Sequence, residues 1–459
     1  MRQILIITAL LLFYPSQGFA EVKEIISEGT YNMGDGETPS VAESRALLQA
    51  KRTALEQAGT YVESYSKVIN LQLTEDEIQV LVSGLMEVEI LDKKRTIFGD
   101  GFHLWVKIKA RVNLDKTEEL ANRIKAKDKS FVEDYKKIQE AYDKSQKDIE
   151  GLKKELAEAK GEKEKKQVEA KITDDERMLQ ANEWFEKGYK YGINKEYDKS
   201  IEAFTSAIAL NPNDAQAYNN RGLAYDSKGQ HDRAMEDYNK AIAIDPNLAQ
   251  AYTGRGDVYG SKGQYDRAIE DYNKAIAIDP NLAQAYYNRG NAYYNKGQYD
   301  KAIEDYDKAI ALNPNDAKTY IGRGGAYTNK RQYYRAIEDF NKAIALNPNN
   351  SSAYAGRGTA YNMQRQHDTA IEDYNKAIAL SIALYPKTER SLLPYLESMI
   401  SAVYFLRGGA YNDKGHYDRA IEDYNKAIQL EPNDYGAYFG LGLAYKNKGQ
   451  YDEAIENYN

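Results

Sequence analysis

Cysteine is absent from the 459 residues, and only four histidines are scattered along them. That removes disulfides, thiol catalysis, cysteine-ligated zinc, iron–sulfur clusters and a lipid-modified cysteine, and it leaves little for any other metal. Nor is there a surplus of positive charge: 62 Lys and Arg stand against 70 Asp and Glu, a net charge of −8. A sequence-independent grip on nucleic acid, which needs clustered Lys and Arg to release counterions, is not expected. With 42% hydrophobic and 29% charged residues the composition does not fit a multi-span membrane protein. No Ser-His-Asp set, metal cluster or phosphate loop can be assembled, so no catalytic residue, metal ligand or cofactor is assigned. What is abundant is tyrosine, 40 residues against 10 Phe and 2 Trp, and its spacing explains it.

The length allows about three domains at the usual ~150 residues each. Residues 1–20 have the form of a secretory signal, with Arg2 as the positive region, Ile4 to Tyr14 as the apolar region and Gly18-Phe19-Ala20 as the small-residue cleavage pattern. Cleavage after Ala20 is expected, because eleven apolar residues are too few to span a hydrocarbon core that needs about 20. An exported chain without cysteine fits the bacterial periplasm, with release from the cell as the alternative. No stable membrane insertion is expected after cleavage.

Residues 21–116 read as a small α+β domain. Val22 to Tyr31 is an expected strand, and Gly34-Asp35-Gly36 a turn. A helix follows, opened by Ser40 with Glu43 as a capping box. Its apolar face is Ala46, Leu47, Ala50, Ala54, Leu55, Ala58, Tyr61 and Val62, with Arg45, Lys51, Arg52 and Glu56 mostly opposite. A short second helix is expected from Thr74. From Phe102 to Leu114 apolar and polar residues alternate, as in a half-buried strand pairing with Met86 to Phe98 through Gly99-Asp100-Gly101. Lys107, Lys109 and Arg111 form a basic stripe expected to be a solvated strand face. Chiefly through Ala54-Leu55-Glu56-Gln57-Ala58, the segment resembles the small α+β domains of bacterial envelope proteins of the LPP20 and FlgT types.

Residues 117–178 are a charged helical connector. Phe131, Tyr135, Ile138, Tyr142, Ser145, Ile149, Leu152, Leu156 and Ala159 alternate spacings of four and three, a heptad seam that needs a partner. Two partners fit: a second copy, making a dimer or trimer through residues 131–159, or a neighbouring part of the same chain. Gly161 and the Lys/Glu run to Lys171 read as a flexible joint.

From residue 181 to 459 the chain repeats. Pro212, Pro246, Pro280, Pro314 and Pro348 recur every 34 residues inside Asn-Pro-Asn or Asp-Pro-Asn turns. Counting each unit from Ala181, position 4 is Trp or Tyr, position 8 Gly, position 11 Tyr, position 20 Ala except Ser200, position 24 Tyr or Phe, and position 27 Ala where present. Positions 4, 7, 8 and 11 form a stripe on one helix, and 20, 24 and 27 a stripe on a second, so each unit is a helical hairpin. Gly at 8 and Ala at 20 let the axes approach while aromatics fill the adjoining space. Gly at 15 ends the first helix and Asp at 18 is expected to cap the second. An apolar side remains bare on each hairpin, so neighbours must stack.

These positions are identified as those of the tetratricopeptide repeat family, in seven full units and a truncated eighth. The expected fold class is mainly α, a superhelical solenoid after a small α+β domain and a coiled-coil-like helix. The resemblance implies a right-handed superhelix whose concave surface, lined by first helices, binds peptides or helices of partner proteins. Position 7 departs from the family's usual Leu. It carries Arg221, Arg255, Arg289, Arg323, Arg357 and Arg407, and position 23 of the same units carries Asp237, Asp271, Asp305, Asp339, Asp373 and Asp423. A half-buried guanidinium needs a carboxylate, so these are expected to pair within a hairpin or across adjoining ones.

Positions 2, 6, 9 and 13, flanked by 5 and 12, point away from the hairpin stripe and vary between units. The candidate partner-binding residues are Asn219, Leu223, Asp226, Thr253, Asp257, Tyr287, Asn291, Tyr294, Asn295, Thr328, Asn329 and Asn362. Recognition and exposed drift both account for that variation. The Lys and Asn set that clamps a terminal carboxylate in chaperone-type repeats is not assembled.

Three irregularities remain. A 16-residue insertion follows residue 380, expected as a longer connection. The chain stops inside the second helix of unit eight, which leaves a fraying hairpin or a shortened product. Unit five has Arg331 for the C-cap glycine and Tyr334 for Asp at position 18, which makes it the expected soft hairpin; unit six shares the first change, with Arg365. The leading functional expectation is a non-enzymatic periplasmic scaffold that recruits protein partners. Its alternatives are an envelope-assembly component docked through the N-terminal domain and, behind it, a substrate-presenting part of an enzyme.

Overall fold

The computed structural model describes residues 22–33, 39–68, 78, 81–82, 85–98, 101–113, 130–159, 161–384 and 393–458. They form two compact units that meet in sequence at Pro212 and Asn213. The proposed signal, the turns at 34–36 and 99–100 and the start of the short helix at Thr74 lie outside the described residues.

In the first unit, strands β1 (Val22–Met33), β2 (Met86–Phe98) and β3 (Gly101–Asn113) form an antiparallel sheet in the order β1-β3-β2. Phe98 pairs with Gly101, so β2 and β3 are the expected hairpin, with a bulge between Ile90 and Asp92. Helix α1 (Pro39–Val68) covers one face. Its Ala42, Ala46, Ala50, Ala54, Ala58 and Val62, four apart, are fully buried in one core with Val106, Ile108, Ala110 and Val112 of β3. Alanine keeps this stripe shallow, so the strand and helix backbones almost touch. A Cβ added at Gly29 would stand 2.0 Å from the Ala46 carbonyl oxygen and 2.5 Å from the Ala50 nitrogen. Beside it, the buried Ser27 hydroxyl donates to the Ala50 carbonyl at 2.7 Å.

Two details of α1 differ from expectation. It begins at Pro39, so Ser40 is inside the first turn and is not the cap. Arg45 is buried: Nη1 donates to the Tyr31 hydroxyl, and its guanidinium lies 5.0 Å from the centre of the Tyr31 ring. The basic stripe of β3 is tied across the sheet, with Lys107 3.0 Å from Glu28, Lys109 3.2 Å and Arg111 3.0 Å from Glu24.

Helices α2 (Ser130–Glu158) and α3 (Glu162–Ile193) fold back on each other around Gly161. The heptad seam is covered from within the chain: Ile149 packs on Leu179, and Leu152 and Leu156 on Val168 and Ile172 of α3. Ser145 Oγ accepts from Asn182 at 3.3 Å. This part of the seam therefore has its partner and is not open to a second copy; the side chains of Phe131, Tyr135, Ile138 and Tyr142 lie outside those described. The expected joint at 162–171 is helical, because Glu162 and Glu164 suit the helix N-terminus and Lys and Glu are good helix formers. Helix α3 continues through residues 178–181 without a break, and its last half is the first helix of repeat one. There Tyr189 and Ile193 join the core of the sheet domain, and Lys190 donates to the Met86 carbonyl. Burial pushes the Lys190 ammonium down to about 8. Helix α4 (Tyr197–Leu210) closes that repeat.

The second unit is a solenoid of seven helical hairpins, repeats two to eight, each with a first helix A and a second helix B. They run from Ala215–Ser227 with His231–Ile244 to Tyr435–Lys448 with Tyr451–Tyr458. Asp214, Asp316, Asn350 and Asp434 cap A helices by accepting from the backbone. Repeats three and four have Leu248 and Leu282 there instead, buried between hairpins. The insertion is partly helical, since B of repeat six extends to Leu384 and A of repeat seven starts at Leu393, burying Ser381, Leu396 and Ile400.

The turn between A and B has one left-handed residue, at position 15. Glycine takes it at Gly229, Gly263, Gly297, Gly415 and Gly449, while Lys195, Arg331 and Arg365 take it with φ of 61°, 59° and 62°. Position 18 is not the cap of helix B, as B begins at position 17 with Gln230, Gln264, Gln298 or Gln332 before it. Its Asp instead reaches the Lys at position 14 of the next repeat: Asp232 to Lys262 at 2.7 Å, Asp266 to Lys296, Asp300 to Lys330, Asp368 to Lys414, and Asp418 to Lys448 at 2.7 Å. Between repeats five and six both ends change together, to Tyr334 and Gln364. Tyr334 is 80% exposed, so that junction loses an ion pair and the adjacent turns carry the left-handed Arg331 and Arg365.

Two outcomes are expected. Gly29→Ala should destabilise the first unit by about 3 kcal/mol or prevent its folding, because the obstacle is backbone and cannot rotate away; thermal melting followed by circular dichroism checks this. Amides of residues 317–346 should exchange faster than those of 249–312. Arg331→Gly should narrow the gap by about 0.5 kcal/mol, the relief of left-handed strain less the entropy glycine adds to the unfolded chain.

Candidate interaction face

The A helices are set against the B helices by one contact. The ring at position 24 lies on the glycine at position 8 of its own hairpin, so closely that a Cβ there would meet ring carbons at 2.8 Å for Gly188 and Phe204, 2.7 Å for Gly256 and Tyr272, and 3.1 Å for Gly408 and Tyr424. The following hairpin presses from the other side at position 6. A Cβ on Gly254 would stand 2.5 Å from Tyr238, one on Gly356 2.4 Å from Phe340, and one on Gly440 2.5 Å from Tyr424.

Flanking the ring, all six Arg–Asp pairs form within their hairpins, each bidentate. Arg221 donates to Asp237 at 2.8 and 2.7 Å, Arg255 to Asp271 at 2.8 Å twice, and Arg289 to Asp305 at 2.8 and 2.6 Å. Arg323 to Asp339, Arg357 to Asp373 and Arg407 to Asp423 repeat the geometry at 2.7–2.8 Å. The remaining guanidinium nitrogen reaches position 25 of the preceding hairpin: Asn239 at 2.7 Å, Asn273 at 2.5 Å, Asp307 at 2.5 Å, Asn341 at 2.6 Å and Asn375 at 2.5 Å. Each of these five arginines therefore joins a hairpin internally and to its neighbour. The sequence pairs positions 7 and 23 directly; position 25, invariant in neither charge nor type, gives no comparable signal.

Position 9 has a structural duty that its variability conceals. Asp257 accepts from the Tyr272 hydroxyl at 2.7 Å, Asn291 from Tyr306 at 2.7 Å, and Thr359 from Tyr374 at 3.3 Å. Where position 24 is Phe340, position 9 is Gly325. Repeats two and seven depart from this: Gly409 stands opposite Tyr424, and in repeat two Leu223 cannot accept and the buried Tyr238 hydroxyl has no hydrogen-bond partner among the described residues. Burial pushes that phenol well above its ordinary value.

The other candidate residues divide between ties and exposure. Asn219 and Thr253 are buried, Thr253 donating to the Ala249 carbonyl at 3.1 Å. Asp226 faces His231 Nδ1 at 2.8 Å, and Asn362 faces His367 Nδ1 at 2.7 Å. Tyr287 packs on Tyr306 and Tyr294 on Tyr299. Asn329 donates to the Tyr294 hydroxyl at 2.9 Å, joining neighbouring A helices, Asn295 donates to the Asn291 carbonyl at 2.9 Å, and Thr328 to the Gly324 carbonyl at 2.9 Å. Leu223 at position 9 is 46% exposed, Met363 at position 13 is 55% exposed and Phe439 at position 5 is 62% exposed.

Between repeats three and four these residues enclose a pocket of about 200 Å³, lined by Asp257, Gly260, Tyr265, Tyr272, Asn288, Asn291, Ala292 and Asn295. Asn288, at position 6, donates to Asp257 at 2.6 Å. Burial pushes the Asp257 carboxyl up to about 7 although the Tyr272 and Asn288 hydrogen bonds hold it down, and the nearby Asp226 adds to the rise.

Two measurements test this geometry. In a double-mutant cycle, Arg255→Leu and Asp271→Asn should couple by about 1–3 kcal/mol, and strict additivity would show that the pair is not a unit. Leu223→Asn should stabilise repeat two by about 1 kcal/mol by giving the Tyr238 hydroxyl an acceptor, read as a raised midpoint in urea.

Family models agree with this architecture. A model described as TPR repeat matches residues 188–229, 256–297 and 408–449. Two described as tetratricopeptide repeat match residues 215–248, 283–316 and 317–350, and residues 237–270 and 340–372. Among solved structures, the chain is similar to YrrB, described as a TPR protein with an unusual peptide-binding site, at 29% identity over 41% of this chain and 98% of that one, with a TM-score of 0.34. A tetratricopeptide repeat protein from Parabacteroides merdae is 22% identical over 58% of this chain and 98% of its own, with a TM-score of 0.43. The Cut9–Hcn1 assembly is 19% identical over 64% of this chain and 55% of that one, with a TM-score of 0.47. Comparison with curated proteins gives no match. With a 34-residue period, antiparallel hairpins and a ring seated on a glycine in repeats one to seven, the chain belongs to the tetratricopeptide repeat family.

Proposed function

We propose that the protein is a non-enzymatic scaffold that holds extended segments of partner proteins on the A-helix face of repeats two to eight. The observation that carries this is the contrast along that face. In repeat one, positions 9, 10 and 13 (Tyr189, Lys190 and Ile193) are taken up by the chain's own sheet domain. In later repeats the equivalent surface exposes Leu223, Met363 and Phe439 on a scaffold fixed by ion pairs and ring contacts. Apolar side chains held in the open by a rigid frame suit recognition of another chain.

A second reading, docking of the N-terminal domain in an envelope assembly, draws on Ile26 and Ile97, which are 56% and 81% exposed on the sheet. The signal-like pattern of residues 1–20 supports a periplasmic setting for this reading; among the described residues no helix is long and apolar enough to cross a membrane. Replacing Leu223, Met363 and Phe439 together by Glu in the full chain should reduce partner capture from periplasmic extract at least tenfold. Capture that survives those changes but is lost with Ile26→Glu and Ile97→Glu would transfer the function to the sheet domain.

A further inference from the structure

The pocket between repeats three and four is a place where the inner face stops being a smooth helical surface. Its hydrogen-bond inventory is lopsided. The Tyr272 hydroxyl and the Asn288 amide both donate to Oδ1 of Asp257, at 2.7 and 2.6 Å. Asn288 Oδ1 in turn accepts from Gln284 at 2.6 Å, and the Asn295 amide donates to the Asn291 carbonyl at 2.9 Å. The pocket is lined by Asp257, whose two hydrogen bonds both fall on Oδ1, and by Asn295, beside Tyr265 and Asn291, the last already engaged by the Tyr306 and Tyr287 hydroxyls.

Among the described residues no cation balances the carboxyl. Across positions 2, 5, 6, 9, 12 and 13 of repeats two to four the charged residues are Asp226 and Asp257 alone, and Asp226 is already faced by His231. A half-buried carboxyl that accepts both of its hydrogen bonds on one oxygen and lines a cavity is completed best by a cationic donor. The size narrows the class further. At about 200 Å³ the cavity is smaller than the roughly 300–1,000 Å³ of pockets that engulf a drug-sized ligand, and fits the charged end of one side chain. The walls formed by Tyr265 and Tyr272 suit the flat face of a guanidinium or the stem of a lysine.

We infer that this pocket is an anchor subsite for a single arginine or lysine side chain of the bound segment, with Asp257 Oδ2 as its counter-ion and Asn295 Oδ1 as a second acceptor. The inference rests on the scaffold reading and adds the chemistry of its ligand: a segment with a basic residue placed to enter between repeats three and four. Binding a cation there also draws the Asp257 carboxyl, held near 7 by burial, into its ionised form.

The test uses the full chain and three small probes, N-acetyl-arginine amide, N-acetyl-lysine amide and the neutral isostere N-acetyl-citrulline amide, in saturation-transfer difference NMR. Signal is expected from the cationic probes and not from citrulline. Asp257→Asn keeps an acceptor for Tyr272 and Asn288 while removing the charge, and should weaken the cationic probes at least tenfold. Gly260→Leu fills the pocket without altering the carboxyl and should abolish their signal. Should the Asn variant misfold by circular dichroism, the arginine–citrulline contrast and Gly260→Leu decide alone. Equal signal from citrulline, no signal from either cation, or unchanged binding in a folded variant overturns the subsite. Because the probes report only on this pocket, their failure leaves partner capture by the inner face standing, and loss of capture with probe binding intact would sink the scaffold reading instead.

Discussion

One contact sets the spacing of the array: an aromatic ring at position 24 lies against the glycine of its own hairpin and, in several repeats, against a second glycine of the next. A glycine lets the ring approach the helix backbone itself, so the two axes of a hairpin and the step to its neighbour are fixed by the same side chain. Nothing larger fits, and nothing smaller than a ring would fill the space left between three helices. The tyrosine excess follows from this requirement and needs no chemistry of its own. The Arg–Asp pair then becomes intelligible. With the centre of the seam filled by a ring, its border is half-buried, and a planar guanidinium bonded in bidentate fashion to one helix and singly to the preceding hairpin joins three backbones without adding bulk.

The same ring constrains what the inner face can present. A tyrosine buried to its hydroxyl needs an acceptor, and position 9 is the residue that can reach it. Position 9 also faces outward toward any bound segment. Recognition and packing thus share a residue: Asp, Asn and Thr accept the hydroxyl, while glycine stands opposite Phe340 in repeat five and opposite Tyr424 in repeat seven. Repeat two shows the conflict left unresolved, with Leu223 exposed and the Tyr238 hydroxyl without a hydrogen-bond partner among the described residues.

The sequence carried the solenoid because its signal is redundant: the same small and large residues recur at one 34-residue spacing through the repeats. The Arg–Asp pairs were legible for the same reason, as two positions that change together across eight units. What escaped is whatever depends on geometry between units or on one special contact. Asp at position 18 read as a helix cap because Asp before a helix usually is one, yet the helix starts a residue earlier and the carboxylate crosses to a lysine of the next repeat. Arg45 read as solvent-facing on a helical wheel, which knows nothing of Tyr31 on the facing strand. The heptad seam announced a partner without saying whose, and α3 of the same chain supplies it over Ser145 to Leu156. Among the inner-face candidates, Asp257, Asn291 and Asn295 meet at the pocket; Asn288 joins them from position 6, an inner-face position at which it was not itself named, Tyr272 from the core and Tyr265 from the start of helix B.

A repeating frame also explains how such a pocket arises at the junction of repeats three and four. Every junction between A helices has the same backbone, so its floor is determined by a few residues: position 9 of one repeat, position 6 of the next, and the ring below. Where position 6 is glycine the ring of the preceding hairpin fills the junction, as with Gly254, Gly322, Gly356 and Gly440. At Asn288 the longer side chain instead crosses to position 9 of repeat three, and it is that residue's being Asp that gives the junction a charge. A smaller change at the same place, Asp to Asn at residue 257, would keep the frame and both hydrogen bonds while neutralising the floor. Specificity can therefore change one junction at a time without disturbing the ring-and-glycine seam, and this separation of frame from floor allows a single solenoid to carry a local, charged recognition site on an otherwise uniform scaffold.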